Sequence, residues 1–356
     1  VIFTSVIFCP LWKGRWYVAW ITLKLGIYGK YHRWKTIQAM TSGYKHSSKK
    51  SMSMLKEEIT STTAGYTVNA PQWVTTSTQA PEFKSFYKTV SGNEGNKCNY
   101  PTRLDLYGCG CFHDCSYCYA KSLLNFRGLW HPDNPSVSRT DKVERKICKL
   151  ERGTVVRLGG MTDCFQPCEA VYRETYKAIQ NLNRQGVHYL IVTKSSMVAD
   201  DKYIRLMDKR LAHIQISVTS TDDTLSRTFE KACLPSARIK AIEKLQEQGF
   251  DVSIRLSPFI PQFIDFRVLN SIKCDKILVE FLRVNTWVKQ WFDIDYSEYT
   301  LKHAGYNHLQ LERKIEYLNK ISGFREISVC EDVDSHFQYW KENVNHSPND
   351  CCNLRL

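Results

Sequence analysis

Apolar residues follow two alternating spacings from residue 103 onward. Short runs rich in β-branched and aromatic residues predict strands, and stretches with an apolar residue every three or four positions predict helices. The predicted strands cover 103–107, 154–158, 189–193, 214–219, 252–256 and 276–281, with a further strand at 326–330. The predicted helices cover 117–125, 140–150, 169–185, 200–209, 235–248 and 308–321. Gly186 and Gly249 lie where helix C-caps are expected.

This alternation predicts the fold class, α/β. Strand–helix repeats join parallel strands by right-handed crossovers, in a barrel or in a doubly wound sheet. Six to seven repeats suit a full or partial TIM-type barrel, whose functional residues gather at the C-terminal ends of the strands. The loops that follow the predicted strands are therefore the expected place for a functional site.

The first hundred residues have a different pattern. Residues 1–50 begin with Val1 and contain nine Lys or Arg and no Asp or Glu; their apolar runs are too short or too interrupted to span a bilayer. One interpretation is a basic amphipathic leader that contacts membrane or nucleic acid. The favoured interpretation is that residues 1–52 are translated upstream sequence and that the working protein starts at Met52 or Met54. Residues 53–100 are rich in Ser, Thr, Asn and Gly, which predicts an irregular N-terminal extension.

Composition narrows the class of protein but not its partner. With 43% apolar and 24% charged residues, the chain resembles a soluble globular protein. The net charge of +13 suggests a polyanionic partner, but residues 1–50 supply nine of those charges, so this evidence is weak. The fourteen cysteines are scattered through strand-like and helix-like segments without a small-domain disulfide pattern. That usage favours a reducing, cytoplasmic location. No membrane partner is expected.

Three cysteines follow the first predicted strand. Cys111, Cys115 and Cys118 are spaced Cys-x3-Cys-x2-Cys, with Tyr117 before the last. Three neighbouring thiolates bind a soft metal centre, and an iron–sulfur cluster is the leading candidate. A site one ligand short of four keeps an open metal position, as catalytic metal sites do. The alternative is a zinc knuckle in which His113 or Cys109 is the fourth ligand.

The loops after the next three strands carry candidate ligand-binding residues. Gly159 and Gly160 let a backbone approach a ligand closely, and the amides, Thr162 and Asp163 that follow suit an ammonium group. In a barrel mouth, Lys194 would attract a carboxylate, and the hydroxyl of Ser217 suits a ribose or a carboxylate. Taken singly, these are also typical of a tight turn, a surface lysine and a capping serine.

Together, in this order, these segments resemble the spore photoproduct lyase-like branch of radical S-adenosylmethionine (SAM) proteins, often labelled DNA repair photolyases. The matching segments span about residues 100–285 and are 110–120, 162–169, 193–195, 217–220 and 257–261. The resemblance implies a partial (β/α)6 TIM-type barrel of the radical SAM type over 101–285. An N-terminal extension would precede this barrel, and a C-terminal α/β cap over 286–356 would follow it.

The resemblance also implies cofactors and a reaction. The cysteines Cys111, Cys115 and Cys118 would hold a [4Fe–4S] cluster whose remaining iron chelates SAM. The cofactor contacts would come from Tyr117, Gly159, Gly160, Thr162, Asp163, Lys194 and Ser217. With an electron from a flavodoxin- or ferredoxin-type donor, cleavage of SAM would give a 5′-deoxyadenosyl radical that acts on DNA or a nucleic-acid base.

One position departs from this family. In the lyase, a hydrogen-donor cysteine lies just before the Asp of the second-strand loop, whereas this chain has Met161 and Thr162 there. Cys164 and Cys168 are candidate donors, although their positions predict a different orientation. Direct photoproduct reversal is therefore no better supported than a different radical reaction on nucleic acid. The alternatives are a radical reaction on a peptide or small molecule, or a non-catalytic zinc module that binds nucleic acid.

The C-terminal region leaves two further questions open. His336, Cys351 and Cys352 are candidates for a second metal site, or for covering the open edge of the barrel. The aromatic residues Trp287 and Trp291, interleaved with lysines, fit either a base-stacking surface or a partly buried cap, and the cap is favoured.

Overall fold

In the computed structural model, the structure describes residues 2–11, 15–24, 83–88 and 97–356. The chain divides into two compact units, residues 1–61 and 62–356. In the first, β1 (Ile2–Leu11) pairs antiparallel with β2 (Arg15–Lys24). The remaining predictions for residues 1–52, and most of those for 53–100, lie outside the described residues.

The second unit is built on one large sheet. Its described strands are β3 (Phe86–Lys88), β4 (Thr102–Leu104), β5 (Tyr107–Gly108), β6 (Ser136–Val137), β7 (Val155–Leu158), β8 (His188–Thr193), β9 (Ala212–Ser217), β10 (Asp251–Phe259), β11 (Lys276–Phe281), β12 (Leu301–His303), β13 (Tyr306–His308) and β14 (Glu326–Val329). Eight of these described strands form the sheet, in the order β14-β11-β10-β9-β8-β7-β4-β3. The β3–β4 pair is antiparallel and the other pairs are parallel, while β5–β6 and β12–β13 form small antiparallel pairs.

Helices connect the parallel strands. They are α1 (Tyr119–Asn125), α2 (Thr140–Ile147), α3 (Glu169–Tyr172), α4 (Glu174–Gln185), α5 (Asp201–Leu206), α6 (Asp223–Ser226), α7 (Pro235–Glu247), α8 (Phe266–Asn270), α9 (Thr286–Trp291), α10 (Leu311–Leu318) and α11 (Asp334–Asn343). Short 3₁₀ helices cover Ser196–Ala199 and Pro261–Phe263. Among the described helices, none has the length and apolar character that a membrane span requires.

The predicted α/β fold class is confirmed. The strands β4 and β7 to β11 lie side by side in chain order, as in a (β/α)6 barrel, and the described sheet is open, with β3 and β14 at its edges. The strand β14 joins β11 from the C-terminal region, which therefore extends the sheet as an α/β cap. Gly186 has a φ of 69° and caps α4, as predicted.

The helix predicted over 169–185 was wrong as one continuous element. It is interrupted at Arg173, which has a left-handed φ of 55°. The buried carboxylate of Glu169 explains the break, because it accepts the backbone N–H of Thr175 (2.8 Å) and of Tyr176 (2.9 Å). These amides belong to the first turn of α4, so the side chain caps a new helix start.

Helices pack on the sheet through apolar faces with helical spacing. Ala178, Ile179 and Leu182 of α4 are buried, as are the corresponding residues of α7. Burying one such aliphatic side chain contributes about 1.5–3 kcal/mol. This packing holds the parallel strands in place and leaves their C-terminal ends free for irregular loops.

The N-terminal ends of the strands are held by a buried ionic cluster. Asp251, at the start of β10, accepts hydrogen bonds from His213 Nδ1 (2.5 Å) and Lys276 Nζ (2.6 Å). It also accepts the backbone N–H of Arg355 at 3.0 Å, so the C-terminal tail is attached to the same carboxylate. This end of the sheet is therefore occupied by structural interactions.

The ionic cluster predicts an acid-dependent loss of stability. Burial raises the pKa of Asp251, but His213, the Arg355 amide and Lys276 together hold it at about 2, below its ordinary value of 3.8. A depressed carboxyl pKa stabilises the fold above the unfolded-state pKa, and the contribution is lost as pH falls from about 4 to about 2. It amounts to roughly 2 kcal/mol at neutral pH.

We expect Asp251→Asn to remove the contribution of Asp251 to the pH dependence and to lower stability at pH 7, because the buried ammonium group of Lys276 loses the carboxylate 2.6 Å away. Urea unfolding between pH 7 and pH 2 measures both effects. Asp133→Asn, at an exposed position, is the control and should keep the wild-type profile. A wild-type pH dependence in the Asp251→Asn variant would contradict this role.

Candidate functional site

The C-terminal ends of the strands surround a cavity of about 160 Å³. Every residue that the family resemblance predicted as a ligand of the cluster or of SAM lines it: Cys111, Cys115, Tyr117, Cys118, Gly159, Gly160, Thr162, Asp163, Lys194 and Ser217. Met161 lines it as well, whereas Cys164 and Cys168 lie in the hydrophobic core. The fold therefore brings residues from four separate loops to one place.

The cysteine loop is a series of tight turns held by its neighbours. The amide of Asp114 donates to Cys111 O (3.1 Å), and that of Cys118 donates to Cys115 O (3.2 Å). Asp114 has a left-handed φ of 37°, which reverses the chain between the first two cysteines. The amide of Lys231 donates to His113 O (2.7 Å), so the segment after α6 holds the loop from outside.

The three thiols suit a bound metal cluster. Burial raises the pKa of Cys111 to about 12 and also raises the pKa of Cys115 and Cys118. Lys194 opposes this for the last two, and the sulfur of Cys118 accepts the Lys121 N–H (3.5 Å) at the start of α1. Buried thiols become thiolates when they bind a metal, because its charge replaces the lost hydration.

Single-ion and multi-iron sites make different demands on geometry. In the part of the chain that the structure describes, no three His, Cys, Asp or Glu side chains converge on a position for one ion. A cluster spreads its thiolates over different irons, so its ligands need to share a cavity without converging on one point. The three soft donors around one cavity fit a cluster.

A buried network behind the cysteine loop positions Tyr117. The Tyr117 hydroxyl donates to Glu230, which also accepts Thr219 Oγ1 (3.0 Å) and pairs with Arg238. Arg238 in turn donates to Ser217 O (3.1 Å). Burial raises the pKa of Glu230, but Arg238 and Lys194 outweigh burial and hold this pKa below its ordinary value. Glu230 is therefore ionised, and it links the tyrosine to the end of β9.

Lys194 carries its positive charge into the cavity. Its Nζ lies 5.6 Å from the centre of the Tyr117 ring, a cation–π contact. The ammonium group also opposes the burial-driven rise in the pKa of Cys115 and Cys118, and it helps Arg238 to lower the pKa of Glu230. A cation at this place can attract the carboxylate of a bound amino-acid group.

Asp163 connects three of the loops. Its carboxylate accepts Thr193 Oγ1 (2.7 Å) and the Lys194 amide (2.6 Å) from the end of β8, and it lies 3.4 Å from His113 Nδ1. Burial raises the pKa of Asp163, but His113 and these hydrogen bonds more than offset burial and hold it at about 2. Because protein donors contact both of its carboxylate oxygens, Asp163 holds these loops together. A direct contact with a cofactor stays a prediction.

The glycine loop is shaped by close backbone contacts. Gly159 has a φ of +83°, and a Cβ there would lie 3.0 Å from Val192 O. A Cβ on Gly160 would lie 2.0 Å from the hydroxyl of Tyr87. The amide of Gly160 donates to the buried carboxylate of Asp105 (2.6 Å), which also accepts the Tyr87 hydroxyl (3.0 Å). Gly159 therefore requires glycine, and a side chain at Gly160 would displace Tyr87.

Another part of the cavity wall is ionic. Glu280 of β11 accepts hydrogen bonds from Arg255 Nη2 (2.5 Å), Ser257 Oγ (2.8 Å) and Arg283 Nη2 (3.2 Å). Burial raises the pKa of Glu280, but the two arginines outweigh burial and lower it to about 2. Arg157 and Tyr306 line the same cavity. This wall was not predicted from the sequence, because its members come from separate segments and only Ser257 belongs to a segment of the family resemblance.

The C-terminal candidates occupy different places. His336 Nδ1 lies 3.1 Å from Lys314 Nζ, within the cap. Cys351 and Cys352 pack instead in a small apolar cluster with Cys98 and Cys330. The structure therefore does not bring His336 together with the two adjacent cysteines. The aromatic pair Trp287 and Trp291 lies on α9, with ring centres 5.6 Å apart.

The Glu230–Arg238 pair predicts a large cost for its disruption. Both side chains are fully buried, so Arg238→Met would leave an uncompensated carboxylate in the core. Removing one partner of a buried pair typically costs about 3–5 kcal/mol. Urea or thermal unfolding should show this loss.

Arg210→Met is the matched control. Arg210 forms an ion pair with Asp208, but its side chain is 87% exposed, so little change is expected. Equal stabilities of the Arg238→Met and Arg210→Met variants would contradict the assigned importance of the buried pair.

Comparison with known proteins agrees with this architecture. Residues 106–267 match the model of the radical SAM superfamily. An uncharacterized protein of Acidianus two-tailed virus is 23% identical over 168 residues, which are 44% of this chain and 55% of that protein. An uncharacterized protein of Methanocaldococcus jannaschii is 26% identical over 170 residues, 44% of this chain and 60% of the relative. The matched regions thus span between half and two thirds of these relatives.

Solved structures of spore photoproduct lyase have a similar fold. A cysteine-to-serine mutant of that enzyme aligns with a TM-score of 0.50 and 15% identity, over 73% of this chain and 78% of the lyase. A tyrosine-to-phenylalanine mutant gives the same TM-score and identity, over 72% and 78%. At this identity the likeness establishes the fold alone. The matching domain and this fold together support a radical SAM, spore photoproduct lyase-like architecture for the chain.

Proposed function

We propose that the protein is a radical SAM enzyme acting on DNA or on a base within nucleic acid. The proposal depends on one observation. Cys111, Cys115, Cys118 and Lys194 line the same cavity at the C-terminal ends of the strands. When bound there, a [4Fe–4S] cluster and SAM would supply a 5′-deoxyadenosyl radical that abstracts hydrogen from the substrate.

The chain's own residues have distinct roles in this proposal. Lys194 attracts the carboxylate of SAM, and Tyr117, held by Glu230, forms the wall beside its adenine. The backbone of Gly159 and Gly160 lines the cavity and forms the wall beside the methionine part. Ser217 presents its hydroxyl to the cofactor from the end of β9, where Arg238 holds its carbonyl.

The cavity also offers protection for a radical. Phe281, Leu282 and Val288 line it and are all buried. Apolar walls exclude water and keep reactive side chains away from an intermediate that would otherwise be quenched. These walls come from β11, the segment after it and α9, so the C-terminal region helps to close the site.

Surface chemistry near the cavity supports a nucleic-acid substrate. Trp287 is 39% exposed on α9, and Tyr119, which lines the cavity, is 37% exposed on α1. Lys121 Nζ lies 5.0 Å from the ring centre of Trp291. Exposed aromatic rings beside cations suit stacked bases with flanking phosphates. The likeness in fold to spore photoproduct lyase agrees with this choice.

The reaction itself is proposed to differ from direct photoproduct reversal. Met161 lines the cavity where the family has a donor cysteine, and a thioether has no S–H hydrogen to give. Cys164 and Cys168 lie in the core, away from the lining. A modification of a base, with an external flavodoxin- or ferredoxin-type electron donor, fits these positions better.

The proposal predicts that an iron–sulfur cluster can be reconstituted in the purified protein. Anaerobic treatment with iron and sulfide should give an absorbance near roughly 400 nm, and SAM with dithionite should then yield 5′-deoxyadenosine. Cys115→Ala should lose both signals, because it removes a cluster ligand.

The control is Cys148→Ala, at an exposed cysteine on another part of the surface. This variant should behave as wild type. A colourless wild-type protein that carries one zinc and makes no 5′-deoxyadenosine would reject the enzyme assignment in favour of a zinc module.

The substrate assignment has its own test. Single-stranded and duplex DNA are incubated with the reconstituted protein, digested to nucleosides and analysed by mass spectrometry. We expect one nucleoside to change in mass and DNA to increase 5′-deoxyadenosine formation. Trp287→Ala should weaken single-strand binding by about 1–3 kcal/mol through lost stacking.

Trp287→Phe keeps an aromatic ring at the same position and should retain most of the affinity. If DNA changes neither the nucleosides nor the 5′-deoxyadenosine yield, the reaction belongs to a peptide or small molecule. Equal binding by the Trp287→Ala and Trp287→Phe variants would show that this ring does not stack on DNA.

A further inference from the structure

Positive charges outnumber negative charges around the cavity. The Lys, Arg, Asp and Glu residues of its lining are Arg157, Lys194, Arg255, Arg283, Asp163 and Glu280. Asp332 is not part of the lining, but it forms an ion pair with Arg283 and is counted with them. Four cations and three carboxylates leave an excess of one positive charge. A charge removed from water costs free energy unless a group of opposite sign compensates it, so the excess favours an anionic ligand.

The proposed cofactors would not remove this excess. An iron–sulfur core carries less positive charge than three thiolates carry negative charge, so the cluster would be an anion overall. SAM is a cation overall, because its sulfonium and ammonium groups outweigh its single carboxylate. The two charges offset each other, and the carboxylate of SAM is assigned to Lys194. The anion that the arginines favour therefore has to come from another molecule, and the substrate is the molecule that shares this cavity.

Glu280 holds three arginine side chains near one place. It accepts hydrogen bonds from Arg255 Nη2 (2.5 Å) and Arg283 Nη2 (3.2 Å). Burial raises the pKa of Glu280, and the positive charges of Arg255, Arg283 and Arg157 lower it, so the Arg157 guanidinium also lies near this carboxylate. The guanidinium carbon of Arg283 lies 5.9 Å from the centre of the Tyr306 ring, which supports it from another side. The arginines are thus positioned before any ligand binds.

The three arginines differ in how a ligand can reach them. The side chain of Arg255 is 6% exposed, whereas that of Arg283 is 24% exposed. Arg157, on β7, is half-buried and lines the cavity. Arg255 is therefore a fixed part of the wall, and Arg157 and Arg283 are the two that a ligand can contact from the cavity.

We infer that Arg157 and Arg283 form an anion subsite that binds one phosphodiester group of the nucleic-acid substrate, next to the base that reacts. This inference rests on the proposed function, since it takes nucleic acid as the substrate. A phosphodiester carries a single negative charge, which equals the excess in the cavity, and guanidinium groups bind phosphate oxygens through paired, charge-assisted hydrogen bonds. Contacts with phosphate fix the register of a nucleic acid without reading its sequence. The two arginines are therefore positioning residues that place the target base beside SAM.

The test compares a charged with a neutral linkage in otherwise identical ligands. The probes are the homodinucleotides of the four DNA bases, each made with its phosphodiester and with an uncharged methylphosphonate. Dissociation constants are measured by calorimetry on the anaerobically reconstituted protein with SAM and without reductant, so that no turnover occurs. Wild type should bind the phosphodiester form of at least one dinucleotide roughly tenfold or more tightly than its neutral form. Arg157→Met and Arg283→Met should lose most of this preference while keeping the affinity for the neutral form.

Two further variants make the result specific. Arg283→Lys keeps the charge without the planar fork and should retain part of the preference. Arg210→Met removes an exposed arginine just before β9, at the opposite end of the strand from the cavity, and should behave as wild type. Iron content and thermal unfolding show whether each variant is folded and loaded. Equal affinities of wild type for the two linkages, no measurable affinity for either, or an unchanged preference in both methionine variants would overturn the inference. A wild type that makes no 5′-deoxyadenosine, or that binds no DNA at all, would instead overturn the proposed function.

Discussion

The geometry of the site depends on one buried carboxylate, that of Asp163, which holds neighbouring loops together. Asp163 accepts hydrogen bonds from Thr193 and from the Lys194 amide, and it faces His113 of the cysteine loop. Charge-assisted hydrogen bonds of this kind are stronger and more directional than neutral ones. Irregular loops at the ends of parallel strands have many unpaired amides, and an ionised carboxylate between them satisfies several at once. Asp105 does the same for the Gly159–Gly160 turn.

The same principle extends around the cavity. Glu230 is buried and Glu280 is partly buried, and each carboxylate pairs with arginine. Moving a charge out of water costs free energy, so each carboxylate stays ionised only because its partners are fixed beside it. In return, the carboxylates hold Tyr117, Lys194 and the cysteine loop in defined places before any ligand binds. Preorganisation of this kind is what radical chemistry needs, because a mobile site would admit water.

The sequence predicted the strands and the cysteine motif better than the side-chain contacts between distant segments. Strand positions follow from local patterns of β-branched residues, and the Cys111–Cys118 motif is contiguous, so both are readable from the chain alone. The contacts of Glu230 with Tyr117 and of Asp105 with Tyr87 join segments without a shared motif, so they could not be anticipated. The break at Arg173 has the same origin, since a distant side-chain contact outweighed local helix propensity.

Two further differences have physical causes. The composition of residues 53–100 predicted irregular structure, and it gave no sign that the short segment Phe86–Lys88 pairs with β4. Three residues are too few to show a strand period. Cys164 and Cys168 were candidates because of their distance from Asp163 in sequence. In the fold they pack into the core, since the chain turns inward before α3.

The two halves of the cavity differ in how far their residues belong to segments that resemble a known family. The half proposed for the cofactor is built from backbone at Gly159 and Gly160, three thiols and one lysine, all in segments that resemble a known family. The ionic wall of Arg255, Glu280 and Arg283 comes from strand positions and a following loop with no such resemblance. The motifs therefore support the type of chemistry more strongly than they support its target.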